Sequence, residues 1–315
     1  MTTLLWIVAL IGALALLVKS ADVFSAASEE IGLAFGLSSF IVGATIVSIG
    51  SSLPEIATAI ITVLSGDSTL QTFAIDTIIG SNIANSLLVG GIAAIAVGTL
   101  CVKEQLIDVD LPFFFIASAL FIFFIMDGVF VWQEGIISIM LLIIFISYTI
   151  FNANDDQSQQ KEQKHHRLSL YTVVLAVLGM IGVYFGADWT ITSVTEVATI
   201  FGIPTAIVTM IVVAIGTSLP ELIISVQAAR KGKHSIALGN IFGSNTFNAL
   251  AVSGIPSFFG PLAVSEQAMI IGIPLFIIAT LAFIFTTSDD RIQKWEGYAL
   301  VVIYIAFVGK LTGFL

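Results

Sequence analysis

Charged side chains are scarce in this sequence. Asp, Glu, Lys and Arg make up 10% of its 315 residues, whereas a soluble domain carries about a quarter. Hydrophobic residues make up 57%, and the mean hydropathy is +1.07. Most of the chain consists of apolar runs of a length that spans a bilayer as a helix, and the short alternating strands of a membrane β-barrel are lacking. The composition predicts an all-α polytopic membrane protein.

Cysteine is nearly lacking as well. The single cysteine, Cys101, excludes an intramolecular disulfide and a cysteine-rich metal site. The net charge of −10 and the lack of a basic stripe argue against nucleic-acid binding. No nucleophile–base pair and no HExxH motif indicates catalysis. We therefore expect a protein that is not an enzyme, holds no resident cofactor and binds no nucleic acid.

Ten transmembrane spans fit the apolar runs. A polar segment at 152–168 separates a first five-helix unit at 1–151 from a second at 169–315. The first run lacks the basic n-region of a signal peptide, so we expect it to be a membrane helix. The predicted spans lie at 3–20, 38–64, 70–98, 109–126, 129–151, 169–187, 203–229, 234–260, 267–286 and 295–313.

The second half of the sequence repeats the first. A shift of 166 residues aligns 21–55 with 187–221 and gives 14 identities in 35 positions, and a shift of 163 aligns IIGSNIAN at 78–85 with IFGSNTFN at 241–248. Each half holds an odd number of spans, so the two copies enter the membrane in opposite senses. The pattern predicts two inverted repeats with broken helices at the centre, an arrangement typical of secondary transporters.

The distribution of basic residues predicts the orientation. Ten of the eleven Lys and Arg residues fall in or beside the loops that follow odd-numbered spans, and only Lys310 lies toward the other face. Basic loops stay on the cytoplasmic side. We therefore expect a multi-pass protein of the cell membrane, with the 152–168 linker in the cytoplasm and both termini extracellular or periplasmic.

The first repeated motif places a carboxylate at membrane depth in each half. It reads GSSLPE at 50–55 and GTSLPE at 216–221. Each proline removes one backbone hydrogen bond and frees the carbonyl one turn earlier, which is tolerated in a membrane where it faces protein or water. Glu55 and Glu221 are thus predicted to sit among hydroxyl and carbonyl oxygens. The alternative is a purely structural carboxyl at a kink.

The second repeated motif, GSNxxN, supplies further oxygens. Ser81 and Asn85 are four residues apart and share one helix face, as do Ser244 and Asn248. The intervening Asn82 and Asn245 point elsewhere and are expected to cap or brace a helix. Small-residue packing, or interhelical hydrogen bonds without a cation, would also explain this motif.

The combined donor set suits hard cations. It holds two carboxylates with amide, hydroxyl and carbonyl oxygens, which are the ligands that Ca²⁺ takes, and it lacks the Cys and His that transition metals favour. Two carboxylates are neutralised by one Ca²⁺ or by two Na⁺. Because an uncompensated charge in a membrane is costly, the motifs predict a bound cation or proton.

These motifs strongly resemble the two α-repeats of the sodium/calcium exchangers of the calcium/cation antiporter superfamily, and the short linker resembles a minimal prokaryotic form. The resemblance implies exchange of Na⁺ for Ca²⁺ by alternating access, with both ions as substrates. Beyond the ions and the lipid bilayer it implies no obligatory protein partner, and we expect a monomer. The implied ligands are Glu55, Glu221, Ser51, Ser52, Ser81, Asn85, Thr217, Ser218, Ser244 and Asn248, with backbone carbonyls near Ser48 and Ala214.

Two departures from the family pattern leave alternatives open. Some members carry Asp at the position of Asn85 or Asn248, whereas both are Asn here. This departure leaves the ion stoichiometry and any K⁺ coupling open. A Ca²⁺/H⁺ or Na⁺/H⁺ exchanger on the same fold, with the two glutamates as proton carriers, is the second hypothesis, and a cation channel or an intramembrane enzyme is the third. In addition, Asp76 stands where the second half has glycine, either as a further cation ligand on an access path or as an acid favoured by the helix dipole.

Overall fold

The computed structural model describes residues 2–65, 72–101, 110–156, 168–201, 218–311 and 313–315, and these residues are almost entirely helical. The helices are α1 (Thr2–Ala34), α2 (Ser39–Val42), α3 (Ser48–Ser65), α4 (Phe73–Ala84), α5 (Gly90–Val97), α6 (Asp110–Ile125), α7 (Trp132–Asp156), α8 (Leu170–Ile200), α9 (Leu219–Arg230), α10 (His234–Phe247), α11 (Ser253–Ser257), α12 (Ile273–Thr287) and α13 (Lys294–Leu311). Four π-helical turns connect some of them: π1 (Gly43–Val47), π2 (Asn85–Val89), π3 (Asn248–Val252) and π4 (Ala268–Gly272).

Six helical segments of the described residues are long and apolar enough to cross a membrane. They are Leu5–Ala34, Ser39–Ser65, Phe73–Val97, Trp132–Thr149, Leu170–Val197 and Ala268–Thr287, and Leu111–Ile125 is a shorter apolar helix. These segments confirm an all-α membrane protein. Most of the predicted span 203–229 and residues 157–167 of the predicted linker lie outside the described residues.

The predicted ends of the first and sixth spans are wrong. Both helices continue well past the predicted ends at 20 and 187, with α1 reaching Ala34 and α8 reaching Ile200. Acidic residues do not stop a helix when they find partners. Asp22 lies 2.6 Å from Lys231, and Glu29 also forms an ion pair, with Lys233. The end of α1 is instead marked by Gly36, which adopts a positive φ of 73°.

The predicted helix break at Pro54 is also wrong. Helix α3 continues through Pro54 as one α-helix. A proline removes a single N–H from the ladder, and the bonds on either side carry the helix across the gap. The irregular backbone appears instead as π turns, and two of them begin at the second asparagine of the GSNxxN motif, Asn85 or Asn248. π turns are rare and frequent at functional sites.

Helices α1 and α8 pack against each other in an antiparallel pair. Three glycines of α8 lie against α1: Gly179 against Phe24, Gly182 against Ser20, and Gly186 against Leu17. The residue numbers of these contacts rise along α8 and fall along α1, so the two helices run in opposite directions. Small residues allow such close approach between membrane helices.

Helix α10 lies at the centre of the molecule. Every residue from Ile236 to Phe247 is buried. Gly239 and Gly243 let its backbone approach the first half, since a Cβ on either would lie 2.3 Å from a carbonyl oxygen, of Phe40 or of Ala44. Phe242 of α10 packs on Phe114 and Phe283, with ring centroids 5.4 and 5.0 Å away. The two halves thus share one core.

Two short antiparallel ribbons join the halves. Strand β1 (Thr99–Cys101) pairs with β4 (Arg291–Gln293), and β2 (Val129–Phe130) pairs with β3 (Leu262–Ala263). The buried partners are Leu100 with Ile292, and Phe130 with Leu262. Leu100 and Leu262 are 162 residues apart in the chain, and so are Phe130 and Ile292. The two ribbons therefore occupy equivalent positions.

Other contacts recur at nearly the same offset. Gly91 packs against Gly297, and a Cβ on Gly91 would lie 2.8 Å from the Gly297 carbonyl oxygen. Their counterparts, Gly254 and Gly135, also pack together, and a Cβ on Gly135 would lie 2.9 Å from the Gly254 carbonyl oxygen. A second example is a pair of carboxylates that accept backbone N–H groups. Glu134 accepts from Val131 at 2.8 Å, and Glu296, 162 residues later, accepts from Gln293 at 2.7 Å.

The contact of Gly243 with the first half makes a stability prediction. A Cβ on Gly243 would lie 2.3 Å from the Ala44 carbonyl oxygen and 2.6 Å from Ser48 Oγ. We expect Gly243→Ala to destabilise the protein by about 1–3 kcal/mol, as overpacking does, and to lower the melting temperature in detergent. The control is Gly12→Ala on the exposed face of α1, where a Cβ meets none of the described atoms within 4 Å. Equal melting temperatures for the two variants would contradict the packing.

Candidate functional site

Two carboxylates from opposite halves lie near one another inside the protein. Glu55 belongs to α3 and Glu221 to the first turn of α9. Glu221 is only 1% exposed, whereas Glu55 is partly exposed with its Oε2 buried. The two helices that carry these groups are in contact, which brings the carboxylates near enough to interact electrostatically. The carboxylates of the two motifs therefore share one site.

Neither carboxylate is satisfied by the part of the protein that the structure describes. Both oxygens of Glu221 and Oε2 of Glu55 are buried and have no hydrogen-bond partner among the described residues. A buried charge without a partner costs several kcal/mol. Such oxygens require a cation, a proton or water.

Hydroxyl groups from the two halves meet beside the carboxylates. Ser51 Oγ lies 3.4 Å from Ser244 Oγ, and Ser81 Oγ lies 3.2 Å from Ser218 Oγ. The Ser218 hydroxyl also lies 3.4 Å from the Ser81 carbonyl oxygen, within reach to donate to it. Each pair joins a residue of the proline motif in one half to the serine of GSNxxN in the other. The four serines are buried and link the two motifs across the centre.

The amides and the remaining hydroxyls complete the set of oxygens. Asn248 Nδ2 donates to Ser81 Oγ at 3.4 Å, which leaves its buried Oδ1 without a partner among the described residues. Within the same described part, the Asn85 amide and the Ser52 hydroxyl are buried and unpaired. The amide or hydroxyl oxygens of these three residues thus remain available to a ligand.

Two predicted ligands of the first half already hold a hydrogen bond. The Ser48 hydroxyl donates to the Ala44 carbonyl at 2.8 Å, and the Ser48 carbonyl accepts from Ser51 Oγ at 3.2 Å. Ser48 therefore orders the first turn of α3 in this structure. Thr217 and the Ala214 carbonyl, predicted for the second half, lie outside the described residues.

Asp76 makes a hydrogen bond to the second half. Its Oδ1 accepts the backbone N–H of Ser265 at 3.3 Å, next to strand β3, and its side chain is partly exposed in the first turn of α4. Its place in the first turn of α4 fits an acid favoured by the helix dipole, and the role as a cation ligand on an access path stays a prediction.

Sequence reasoning missed the part that Phe24 plays. A Cβ on Gly50 would lie 2.4 Å from the Phe24 ring, so the glycine of GSSLPE makes room for a side chain of α1. The residue that corresponds to Phe24 in the second half is Thr190, so the repeat gives no signal for this contact. The motif glycine was expected only to ease the backbone near the proline. It also brings α1 to the site.

The donor set is chemically uniform. The described groups are carboxylate, amide and hydroxyl oxygens, which match the preference of hard cations such as Ca²⁺. The site is buried, draws its side chains from both halves and concentrates two negative charges. It is suited to binding a small hard cation deep in a membrane protein.

Comparisons with known proteins identify the family of the chain. The model of the sodium/calcium exchanger protein family matches residues 5–152 and 171–312. An uncharacterised membrane protein of Methanocaldococcus jannaschii, MJ0091, is 30% identical over 302 residues, which are 95% of each chain. The sodium/calcium exchanger MaX1 of Methanosarcina acetivorans is 29% identical over 98% of each chain, and the inner membrane protein YrbG of Escherichia coli is 30% identical over 87% of this chain and 86% of its own.

Solved structures lead to the same family. The sodium–calcium exchanger NCX_Mj soaked with 100 mM Na⁺ and 10 mM Sr²⁺ is similar to this chain with a TM-score of 0.82 and 28% identity over 98% of each chain. The same exchanger soaked without Na⁺ and Ca²⁺ also gives a TM-score of 0.82. On the family match and these relatives, the chain belongs to the sodium/calcium exchanger protein family.

Proposed function

We propose that this protein exchanges Na⁺ for Ca²⁺ across the cell membrane by alternating access. The observation that carries the proposal is the pair of carboxylates, Glu55 and Glu221, which lie close together with buried oxygens that no described residue satisfies. Neutral oxygens of both halves lie around them. The relatives MaX1 and NCX_Mj, which are named as sodium–calcium exchangers, support the choice of ions.

The charge of the site accounts for coupled exchange. Two carboxylates carry −2, which one Ca²⁺ or two Na⁺ would neutralise. A conformational change that moves the site from one side of the membrane to the other is favourable only when the buried charges are compensated. Cations that compete for the same oxygens must then cross in turn, and the gradient of one drives the other.

The recurring contacts support two inverted repeats of five helices. When two halves are related by a two-fold axis, contacts between them come in pairs. If residue i of the first half contacts the second-half counterpart of residue j, then residue j contacts the second-half counterpart of residue i. The two ribbons and the two glycine contacts follow this rule. The antiparallel packing of α1 on α8 fits halves of opposite sense. Such symmetry gives a transporter two related states that open to opposite sides.

The same contacts support the ten-span arrangement on which the proposed orientation depends. Strands β1 and β4 follow the third and the ninth predicted span, whereas β2 and β3 follow the fourth and the eighth. Each ribbon thus joins loops that the ten-span model assigns to one side. The side itself rests on the basic residues: because basic loops stay in the cytoplasm, we place these loops and the linker there and both termini outside.

Flux measurements test the proposed ions and ligands. We expect purified protein in liposomes to take up ⁴⁵Ca²⁺ when loaded with Na⁺. Glu55→Gln and Glu221→Gln should each lower uptake about tenfold or more, because a lost charged ligand costs about 1.5–3 kcal/mol. The control Glu134→Gln retains an acceptor for the Val131 N–H and should transport normally.

The driving gradient separates the hypotheses. Uptake that follows a pH gradient in the absence of Na⁺ would favour the Ca²⁺/H⁺ exchanger, and an ohmic current without counter-transport would indicate a channel. Normal transport by the double variant Glu55→Gln with Glu221→Gln would contradict the assigned site.

The lone cysteine tests the orientation without engineering. Cys101 is exposed at the β1–β4 ribbon, on the side proposed to be cytoplasmic. We expect a membrane-impermeant maleimide to label it in inside-out vesicles and not in intact cells. For the opposite side, Asp127→Cys in a Cys101→Ser background offers an exposed position before β2 and should label in intact cells. The reverse pattern would overturn the orientation.

A further inference from the structure

Two buried asparagines cross between the halves without belonging to the proposed ligand set. Asn82 and Asn245 are the first asparagines of the two GSNxxN motifs, and both are 0% exposed. Asn82 Nδ2 donates to the Asn245 carbonyl at 3.1 Å. Asn245 Nδ2 donates to Ser86 Oγ at 3.3 Å and to its own helix at the Ile241 carbonyl, at 3.0 Å. Each amide therefore contacts the motif helix of the opposite half.

The Asn245 carbonyl lies where α10 changes into π3. It accepts the backbone N–H of Asn248, the first residue of the π turn, in addition to the amide of Asn82. The i→i−4 ladder is interrupted at such a transition, so the carbonyls there need donors from elsewhere. Ser244 and Asn248, two of the proposed ligands, flank this carbonyl. Asn82 thus holds the turn that presents ligands of the second half.

The reciprocal contact lies at the other π turn. Ser86 is the second residue of π2, directly after the proposed ligand Asn85. Asn85 makes no side-chain hydrogen bond to the described residues, so its orientation depends on its backbone. The Asn245 amide, which comes from the opposite half, contacts this turn by donating a hydrogen bond to Ser86.

We propose that Asn82 and Asn245 are positioning residues that act crosswise: Asn82 orients the ligands on π3, and Asn245 orients those on π2. The inference rests on the proposed function only in taking Asn85 and Asn248 as cation ligands. It gives the two asparagines of each motif separate roles, one as a ligand and one as a brace. It also couples the ligand geometry of each half to the position of the other.

Crosswise action makes a prediction that a local role does not. Asn82 lies three residues from Asn85 on the same helix, so a local packing defect would couple these two. The proposal predicts that Asn82 couples to Asn248 instead. Likewise, Asn245 should couple to Asn85 and not to its neighbour Asn248. Double-mutant cycles measure this coupling directly.

The experiment is Ca²⁺ binding to the purified protein by calorimetry, with Ala substitutions at the four asparagines singly and in pairs. We expect Asn82→Ala to weaken binding about tenfold, equivalent to about 1.4 kcal/mol. Once Asn248→Ala is present, Asn82→Ala should add little further loss. With Asn85→Ala, its effect should be close to additive. Ser118→Ala on α6, another buried serine outside the site, is the control and should bind Ca²⁺ normally.

Two results would overturn the proposal. The first is coupling that is stronger within a helix than across the halves. The second is tighter Ca²⁺ binding by Asn82→Asp, because a direct ligand gains from a carboxylate, whereas a brace loses the donor that the Asn245 carbonyl requires. Should Asn245→Ala not fold, Ser86→Ala removes the same cross-half bond from its other end.

The test is separable from the question of which ions are exchanged. If Ca²⁺ flux proves to depend on protons and not on Na⁺, the proposed function fails, and crosswise coupling in Ca²⁺ binding still supports the braces. If Na⁺ drives Ca²⁺ uptake and the coupling is local, the braces fail and the proposed function stands.

Discussion

The structure depends on two carboxylates that the described residues leave unsatisfied. The oxygens of Glu221 and Oε2 of Glu55 are buried without a hydrogen-bond partner in the part of the chain that is described. A membrane protein tolerates such charges only when a counter-charge is supplied. The paired serines, the unpaired amides and the π turns at Asn85 and Asn248 gather oxygens around this charge. In the proposed function, these oxygens surround a transient cation that supplies the counter-charge.

Close backbone approach brings the two halves near enough to share that site. Gly239 and Gly243 let α10 lie directly on the backbone of the first half, and the contacts Gly91–Gly297 and Gly135–Gly254 do the same toward the periphery. In lipid, helices associate through tight packing and interhelical hydrogen bonds. The glycines therefore provide contact area, and buried amides such as that of Asn82 provide the polar bonds between the halves.

The two halves are related but not identical in their contacts. Ser244 meets Ser51, whereas its counterpart Ser81 meets Ser218, which corresponds to Ser52 and not to Ser51. Glu221 is fully buried while Glu55 is partly exposed. A transporter that alternates between two states needs a departure from exact two-fold symmetry in each state, since a symmetric structure would be open or closed to both sides at once. Under the proposed alternating access, the one-residue shift in the serine pairs would be a departure of this kind.

Much of this protein follows from sequence alone. Apolar run length determined the membrane class, and the repeated GSSLPE and GSNxxN motifs indicated the family and the residues of the site. These signals are local and periodic, so a single sequence reveals them. The tertiary structure decided the rest: the passage of α3 through Pro54, the length of α1, the contact of Phe24 with Gly50, and the crossing of Asn82 to Asn245. These features depend on partners far away in the chain, because an ion pair, a close glycine contact or a cross-half hydrogen bond exists only once both sides are in place.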